Sequence, residues 1–215
     1  MPIQKITSGI IDGTTTFANT AISGTITASQ IAAVNANTIT GTITASQIAT
    51  VNASTVTTGT LPGARLPAGS VLQVVSVSKL DAFQTASTSP IDVTGLSVSI
   101  TPTSASSKIL VLSQIWGTGT VNTGFYINLV RNSTDLSIST VGSNINSTAG
   151  SYFGSENYWT THPIMFLDSP ATTSSTTYKI QIFTSSGSAS VAINKRVDNV
   201  FVGGSSSITV MEIAA

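Results

Sequence analysis

A mainly β chain, with an elongated self-associating repeat shaft carrying an antiparallel, jelly-roll-like β-sandwich head, is the architecture that three features of this sequence predict. Residues 23–56 form a tandem repeat with a period of 17. Residues 57–67 then break the pattern with Pro62, Gly63 and Pro67. From Gly69 onward, short alternating apolar and polar stretches are separated by Ser, Thr, Gly, Asn and Pro clusters, which is the pattern of an all-β domain.

Composition supports β-structure and narrows the possible partners. Only 7% of the 215 residues are charged, whereas 33 are Ser and 35 are Thr. Typical soluble domains carry about 25% charged residues, so hydroxyls here supply the polarity that charges usually do. A 40% apolar content and positive mean hydropathy argue against disorder. Thr, Val and Ile suit a pleated surface. Eight basic and eight acidic residues cancel, leaving no electrostatic footprint for nucleic acid or an anionic membrane. There is no cysteine, hence no disulfide framework or thiolate chemistry. MPIQKITSGIID has no apolar core of signal-peptide length. The apolar run Ile109 to Leu112 is far too short to cross a bilayer. A soluble protein made in a cytoplasm is expected.

The first element, residues 1–22, is a leader. It carries Lys5 and Asp12, after which no charge occurs until Arg65. Ile3, Ile6, Ile10, Ile11 and Phe17 are many apolar groups to leave wet, so docking on another protein is expected; packing back on the shaft is the alternative.

The second element is the repeat shaft with its neck, residues 23–68. SGTITASQIAAVNANTI is followed directly by TGTITASQIATVNASTV. Ile26 recurs as Ile43, Ile31 as Ile48, Val34 as Val51 and Ile39 as Val56. Four large apolar side chains per copy cannot form a core within one chain, so they are expected to form the core of an association between copies. Gly-Thr-Ile-Thr alternates as a strand, while Thr27-Ala-Ser-Gln30 and Thr44-Ala-Ser-Gln47 fit a capping box. The spacings do not sustain a coiled-coil heptad. Leu61-Pro-Gly-Ala-Arg-Leu-Pro67 is the neck, where no regular helix is possible.

The third element is the head, residues 69–215. Strands are expected at 70–78, 91–101, 108–116, 124–131, 135–141, 161–167, 177–184, 190–194 and 207–213. LSVSIT, KILVLSQIW and YKIQIF show the clearest period of two. The closing SITVMEI is expected at an inner position.

Candidate chemistry is sparse. His162 is the only histidine, and no G-x-S-x-G accompanies it. A strand-edge histidine bonded to backbone is therefore expected rather than a Ser-His-Asp base. The acids are Asp12, Asp81, Asp92, Asp135, Asp168, Asp198, Glu156 and Glu212. None clusters as a glycosidase pair would, so solvated turn carboxylates are expected. No metal-ligand spacing is present, and no metal, cofactor or catalytic residue is expected. One segment stands out. Tyr152, Phe153, Tyr158 and Trp159 fall within eight positions of an aromatic-poor chain, interleaved with Glu156, Asn157 and His162. Aromatic faces stack on the CH faces of a sugar ring while amides and carboxylates meet its hydroxyls. Tyr152, Glu156, Asn157, Tyr158, Trp159 and His162 are thus candidate ligand-binding residues. The competing reading buries the aromatics in the sandwich or a subunit interface.

GTITASQIA, TTGTLPGARLPAGSVLQVV, LSVSITPTSASSKILVL and SSSITVMEIAA resemble bacteriophage fibre and tail-fibre-like virion proteins. The resemblance covers most of residues 23–116 and the extreme C-terminus. It implies a homotrimeric fibre assembled in the host cytoplasm, bound to another virion protein through its N-terminus. The β-rich head would then serve host-surface recognition, through a glycan or a protein. The alternatives are a capsid-decorating head fibre or spike with no receptor role and, more distantly, a surface-polysaccharide depolymerase. A chain of this length also fits a small side fibre of a baseplate.

Overall fold

The computed structural model describes residues 66–142, 145–155, 158–198 and 202–215. The leader, the repeat with its eight apolar positions, Glu156 and Asn157 lie outside the described residues. Among those described, the chain forms eleven strands and no helix.

The chain enters through a turn after Pro67. Gly69 occupies the left-handed region at φ 88°, where a side chain would be strained, and its N–H donates to the Ala214 carbonyl at 2.8 Å. The strands follow as β1 (Val71–Lys79), β2 (Phe83–Thr85), β3 (Ile91–Ile100), β4 (Lys108–Gly119), β5 (Thr123–Arg131) and β6 (Thr134–Leu136). The series ends with β7 (Ala149–Phe153), β8 (Trp159–Asp168), β9 (Thr176–Thr184), β10 (Val191–Ile193) and β11 (Ser206–Ile213).

These strands build two antiparallel sheets. In the first, β4 pairs with β8 from Ile109 to Thr118. It also pairs with β11 over Lys108 to Gln114 and with β10 over Gly117 to Gly119. A strand has only two edges, so β8 holds one alone while β11 and β10 share the other in succession. β1 then flanks β11, and β2 flanks β10. In the second sheet β5 is flanked by β9 on one edge and by β7 and β6 in turn on the other, with β3 outside β9.

Alternation sets the faces. Ile109, Val111 and Ile115 of β4 meet Phe125, Ile127 and Leu129 of β5 in one core, with Ile180, Ile182, Ile208 and Val210 beside them. Apolar burial of this kind supplies most of the driving force. The result is a β-sandwich, as alternation predicted. Register also distinguishes two ends of the first sheet. Val71, Ile213, Lys108 and Asp168 lie at the end where the described chain begins. Lys79, Ser206, Thr118 and Trp159 lie toward the other.

Several expectations need correction. The strand expected over 135–141 ends at Leu136, because Ser137 turns to φ 54°. β2 and β7 were not expected, and β4 runs three residues beyond Trp116. Two acids are not solvated turn carboxylates: Asp168 is 5% exposed and Glu212 is 0% exposed. Asp168 accepts bonds from Arg131 Nη1 at 2.8 Å and from the Tyr178 hydroxyl at 2.6 Å. This joins β8 of the first sheet to β5 and β9 of the second. Glu212 accepts from Gln73 Nε2 at 2.6 Å and from the Thr103 N–H and hydroxyl at 2.7 Å. Burial alone would raise its pKa, but the hydrogen bonds, led by Gln73, outweigh it and hold the carboxyl below the usual range.

Candidate functional site

The aromatic segment forms the β7–β8 connection, and the fold sorts its rings by strand parity. On β7, Phe153 points inward and is 4% exposed, whereas Tyr152 points outward at 66%. Phe153 packs beside Phe125, ring centroids 6.3 Å apart. The close approach of Gly119 permits this, since a Cβ there would fall 2.6 Å from the Phe153 ring. At the start of β8, Tyr158 is 64% exposed and Trp159 48%. Thr118 Oγ1 donates to the Tyr158 carbonyl at 2.8 Å and fixes where the chain re-enters the sheet.

Trp159 is backed by a second tryptophan. The β4–β8 register sets Thr118 opposite Trp159 and Trp116 opposite Thr161, so both indoles lie on the same face. They stack with centroids 5.9 Å apart and planes 21° from parallel. Trp116 is itself immobilised. Gly204 lies against it so closely that a Cβ would come 2.4 Å from the indole. The main-chain N–H of Trp116 donates to Ser206 Oγ at 2.9 Å, and that hydroxyl donates to Asn194 Oδ1 at 2.7 Å. Asn194 Nδ2 in turn donates to the carbonyls of Lys79 and Asp81. The exposed ring of Trp159 thus rests on a rigid support.

A cavity of about 430 Å³ opens among these groups. Its lining combines the aromatic residues Tyr152, Phe153, Tyr158 and Trp159 with Ser151, Ser155, Thr160 and Gly154. None of these lining residues is charged. The cavity sits at the end of the sandwich opposite the point where the described chain begins, because β8 starts there and β7 ends there. Flat apolar faces combined with neutral hydroxyls suit an uncharged, ring-shaped polar ligand.

The structure therefore brings Tyr152, Tyr158 and Trp159 together and separates His162 from them. His162 is 7% exposed and faces the core, 5.1 Å from the Phe125 ring. Its Nε2 lies 3.0 Å from Ser151 Oγ, a side-chain partner that the sequence did not suggest. Among the described residues Nδ1 meets no hydrogen-bond partner in good geometry, and Ser151 and His162 form a pair to which none of those residues adds the orienting acid of a triad. Burial pushes the His162 pKa down, with the Ile115 backbone offsetting part of the shift. Among the described residues no group of three or more His, Cys, Asp or Glu could hold a metal. Trp116, Thr118 and Gly204 were missed from sequence. Their roles depend on cross-strand register, and a lone Trp before Gly-Thr-Gly gives no sign of it.

No family model matches the chain, and no curated protein does either. Among solved structures, the chain is similar to that of the infectious bursal disease virus Gx strain, at 15% identity and a TM-score of 0.34 over 66% of this chain. The T=1 particles derived from infectious bursal virus give 13% identity and a TM-score of 0.36. The VP2 subviral particle of infectious bursal disease virus gives 14% and 0.34. The match spans 41%, 36% and 38% of those chains respectively. Overlap this slight carries no functional argument.

Proposed function

We propose that this chain is a structural protein of a virion appendage, a homotrimeric phage fibre that holds sugar-binding sites away from the particle. The sequence supplies the first part of the reading. The uncharged repeat demands partners, its likeness to phage fibres names them as copies, and the apolar leader suits attachment to another virion protein. The sandwich adds a head whose strand orders, β1-β11-β4-β8 over β3-β9-β5-β7, follow a jelly-roll-like winding common to capsid and lectin domains.

One observation carries the adhesion reading. Three exposed aromatic residues line one neutral cavity at the end of the head opposite the chain's entry. Exposed rings of this size are costly to leave wet without a role. The ligand class that fits is a neutral hexose or hexosamine of a host-surface glycan, stacked on Trp159 and Tyr158. Single weak contacts gain strength from several copies acting together. The role is binding, with no catalytic residue and no cofactor.

The test is a glycan array probed with the labelled full chain, followed by competition between the chain and virions for host cells. Binding to neutral glycans, weakened at least tenfold by Trp159→Ala, and reduced virion adsorption would support adhesion. Array silence with undiminished adsorption would leave a decorating spike as the better reading. New reducing ends on host polysaccharide would show an enzyme instead.

A further inference from the structure

A second cavity, of about 110 Å³, opens at the same end of the head as the aromatic one. It is lined by residues 118–121 at the close of β4 and by 196–198 beyond β10. The two cavities share the end of β4 as a common wall. Trp159, which lines the first, is the cross-strand partner of Thr118, which lines the second. Gly119 lines the second and lies against the ring of Phe153, which lines the first. Hydrogen bonds fix this wall. The Thr118 hydroxyl donates to the Tyr158 carbonyl at 2.8 Å, and the Asn122 N–H donates to the Phe153 carbonyl at 2.6 Å. Toward β10, Thr120 Oγ1 donates to the Ser190 carbonyl at 3.1 Å and accepts from the Ser190 N–H at 3.0 Å.

The second cavity holds what the first lacks. Arg196 donates from Nε to one oxygen of Asp198 at 3.0 Å and from Nη2 to the other, a planar fork with no net charge. The Arg196 side chain is 17% exposed and that of Asp198 52%, and a fork this open to water adds little to stability. A guanidinium carries five N–H donors; among the described residues the fork engages those on Nε and Nη2, which leaves Nη1 to a ligand. We propose that the two cavities form one extended site whose ligand is a neutral oligosaccharide of at least two units. One unit stacks at the aromatic cavity, and the next turns its hydroxyls to Arg196 and Asp198. Spacing agrees, because the Trp159–Thr118 pair separates the two walls by one strand spacing, about 4.8 Å, a step that one sugar unit covers. Volume agrees too: the second cavity takes the hydroxyl-bearing edge of a ring rather than a whole sugar. Charge selects the class. An acidic sugar brought to Arg196 meets the Asp198 carboxylate beside it, whereas a hydroxyl accepts from the guanidinium and donates to the carboxylate. The inference rests on the sugar-binding reading of the aromatic cavity and extends it from one ring to a linkage.

Isothermal calorimetry on the full chain tests this with size-fractionated neutral mono-, di- and trisaccharides released from host-surface polysaccharide. The disaccharide is expected to bind about tenfold more tightly than the monosaccharide, the gain of one or two added hydrogen bonds. Arg196→Ala removes the fork, and Val121→Phe fills the cavity. Either change is expected to bring the disaccharide down to about the affinity of the monosaccharide. The first acts through lost donors and the second through volume, so a folding defect in one, read by far-ultraviolet dichroism, leaves the other as the test. Equal affinity for the two sugars in the unaltered chain overturns the extended site while sparing the aromatic cavity. A gain from chain length that survives in both variants overturns it as well. Failure of every fraction to bind overturns the extended site and the sugar-binding reading together.

Discussion

Replacing Asp168 by Asn tests whether the two sheets are fastened by the Arg131–Asp168–Tyr178 group. The substitution keeps the shape of the side chain, so no cavity confuses the result. Asp168 is 5% exposed, and its two oxygens lie 2.8 Å from Arg131 Nη1. Removing one partner of a buried ion pair costs about 3–5 kcal/mol, because the other charge stays uncompensated. The Arg131 side chain is 24% exposed, so water relieves part of the penalty and about 3 kcal/mol is expected. For a domain of this size each kcal/mol lowers Tm by about 2–4 °C, giving a fall of about 6–12 °C in calorimetry. Tyr178 provides an independent check through pH. Burial and, next, the Asp168 carboxylate push its phenol pKa far above 10. Above pH 10 the unfolded chain loses that proton while the folded one keeps it, so this group makes stability fall as pH rises. Tyr178→Phe should flatten that slope. A wild-type Tm for Asp168→Asn, together with an unchanged alkaline slope in Tyr178→Phe, would refute the fastening role.

Three further outcomes follow from the same contacts. His162 titrates from a pKa pushed below 6.5 by burial, so the unfolded chain takes up a proton first on acidification. Stability should fall as pH drops below about 6.5 and level off beneath the folded value; denaturant midpoints of His162→Gln should lose that step. Glu212, held below 4.5 by its hydrogen bonds despite burial, contributes stability above pH 4.5 that is lost as pH falls through its folded value. Glu212→Ala removes the acceptor of the Thr103 N–H and hydroxyl, leaves Gln73 only the Thr101 carbonyl, and should cost about 2–4 kcal/mol in urea unfolding. Gly204→Ala drives a methyl into the Trp116 ring, so near-ultraviolet dichroism should change and stability fall by about 1–3 kcal/mol.

How much of this was legible in the sequence depended on how local the signal was. KILVLSQIW and YKIQIF alternate over a full strand, and both lie within strands of the sandwich. DLSIST alternates as well, yet its strand stops at Leu136 because Ser137 takes a left-handed turn that no pattern encodes. β7 escaped notice because Ala149-Gly-Ser carries no apolar alternation, whereas pairing with β5 makes it a strand. The candidate site was half legible. Aromatic clustering located the segment, but which rings face water depends on β7 and β8 parity, and that put Phe153 and His162 inside. Partners distant in sequence were invisible. Glu212 bonds to Gln73, 139 residues away, and Trp159 stacks on Trp116 only through the β4–β8 register. Glu156, Asn157 and the repeat positions from Ile26 to Val56 lie outside the described residues.

The central claim is that the Tyr152–Tyr158–Trp159 cavity holds a sugar. Trp116 and Trp159 are the only tryptophans in the chain, so intrinsic fluorescence reads the site without a label. Titrating the full chain with neutral oligosaccharides from host-surface polysaccharide should shift the emission saturably, and Trp159→Phe should remove most of the change while the far-ultraviolet spectrum stays unaltered. Emission that stays flat across a panel of neutral and acidic oligosaccharides would contradict the account.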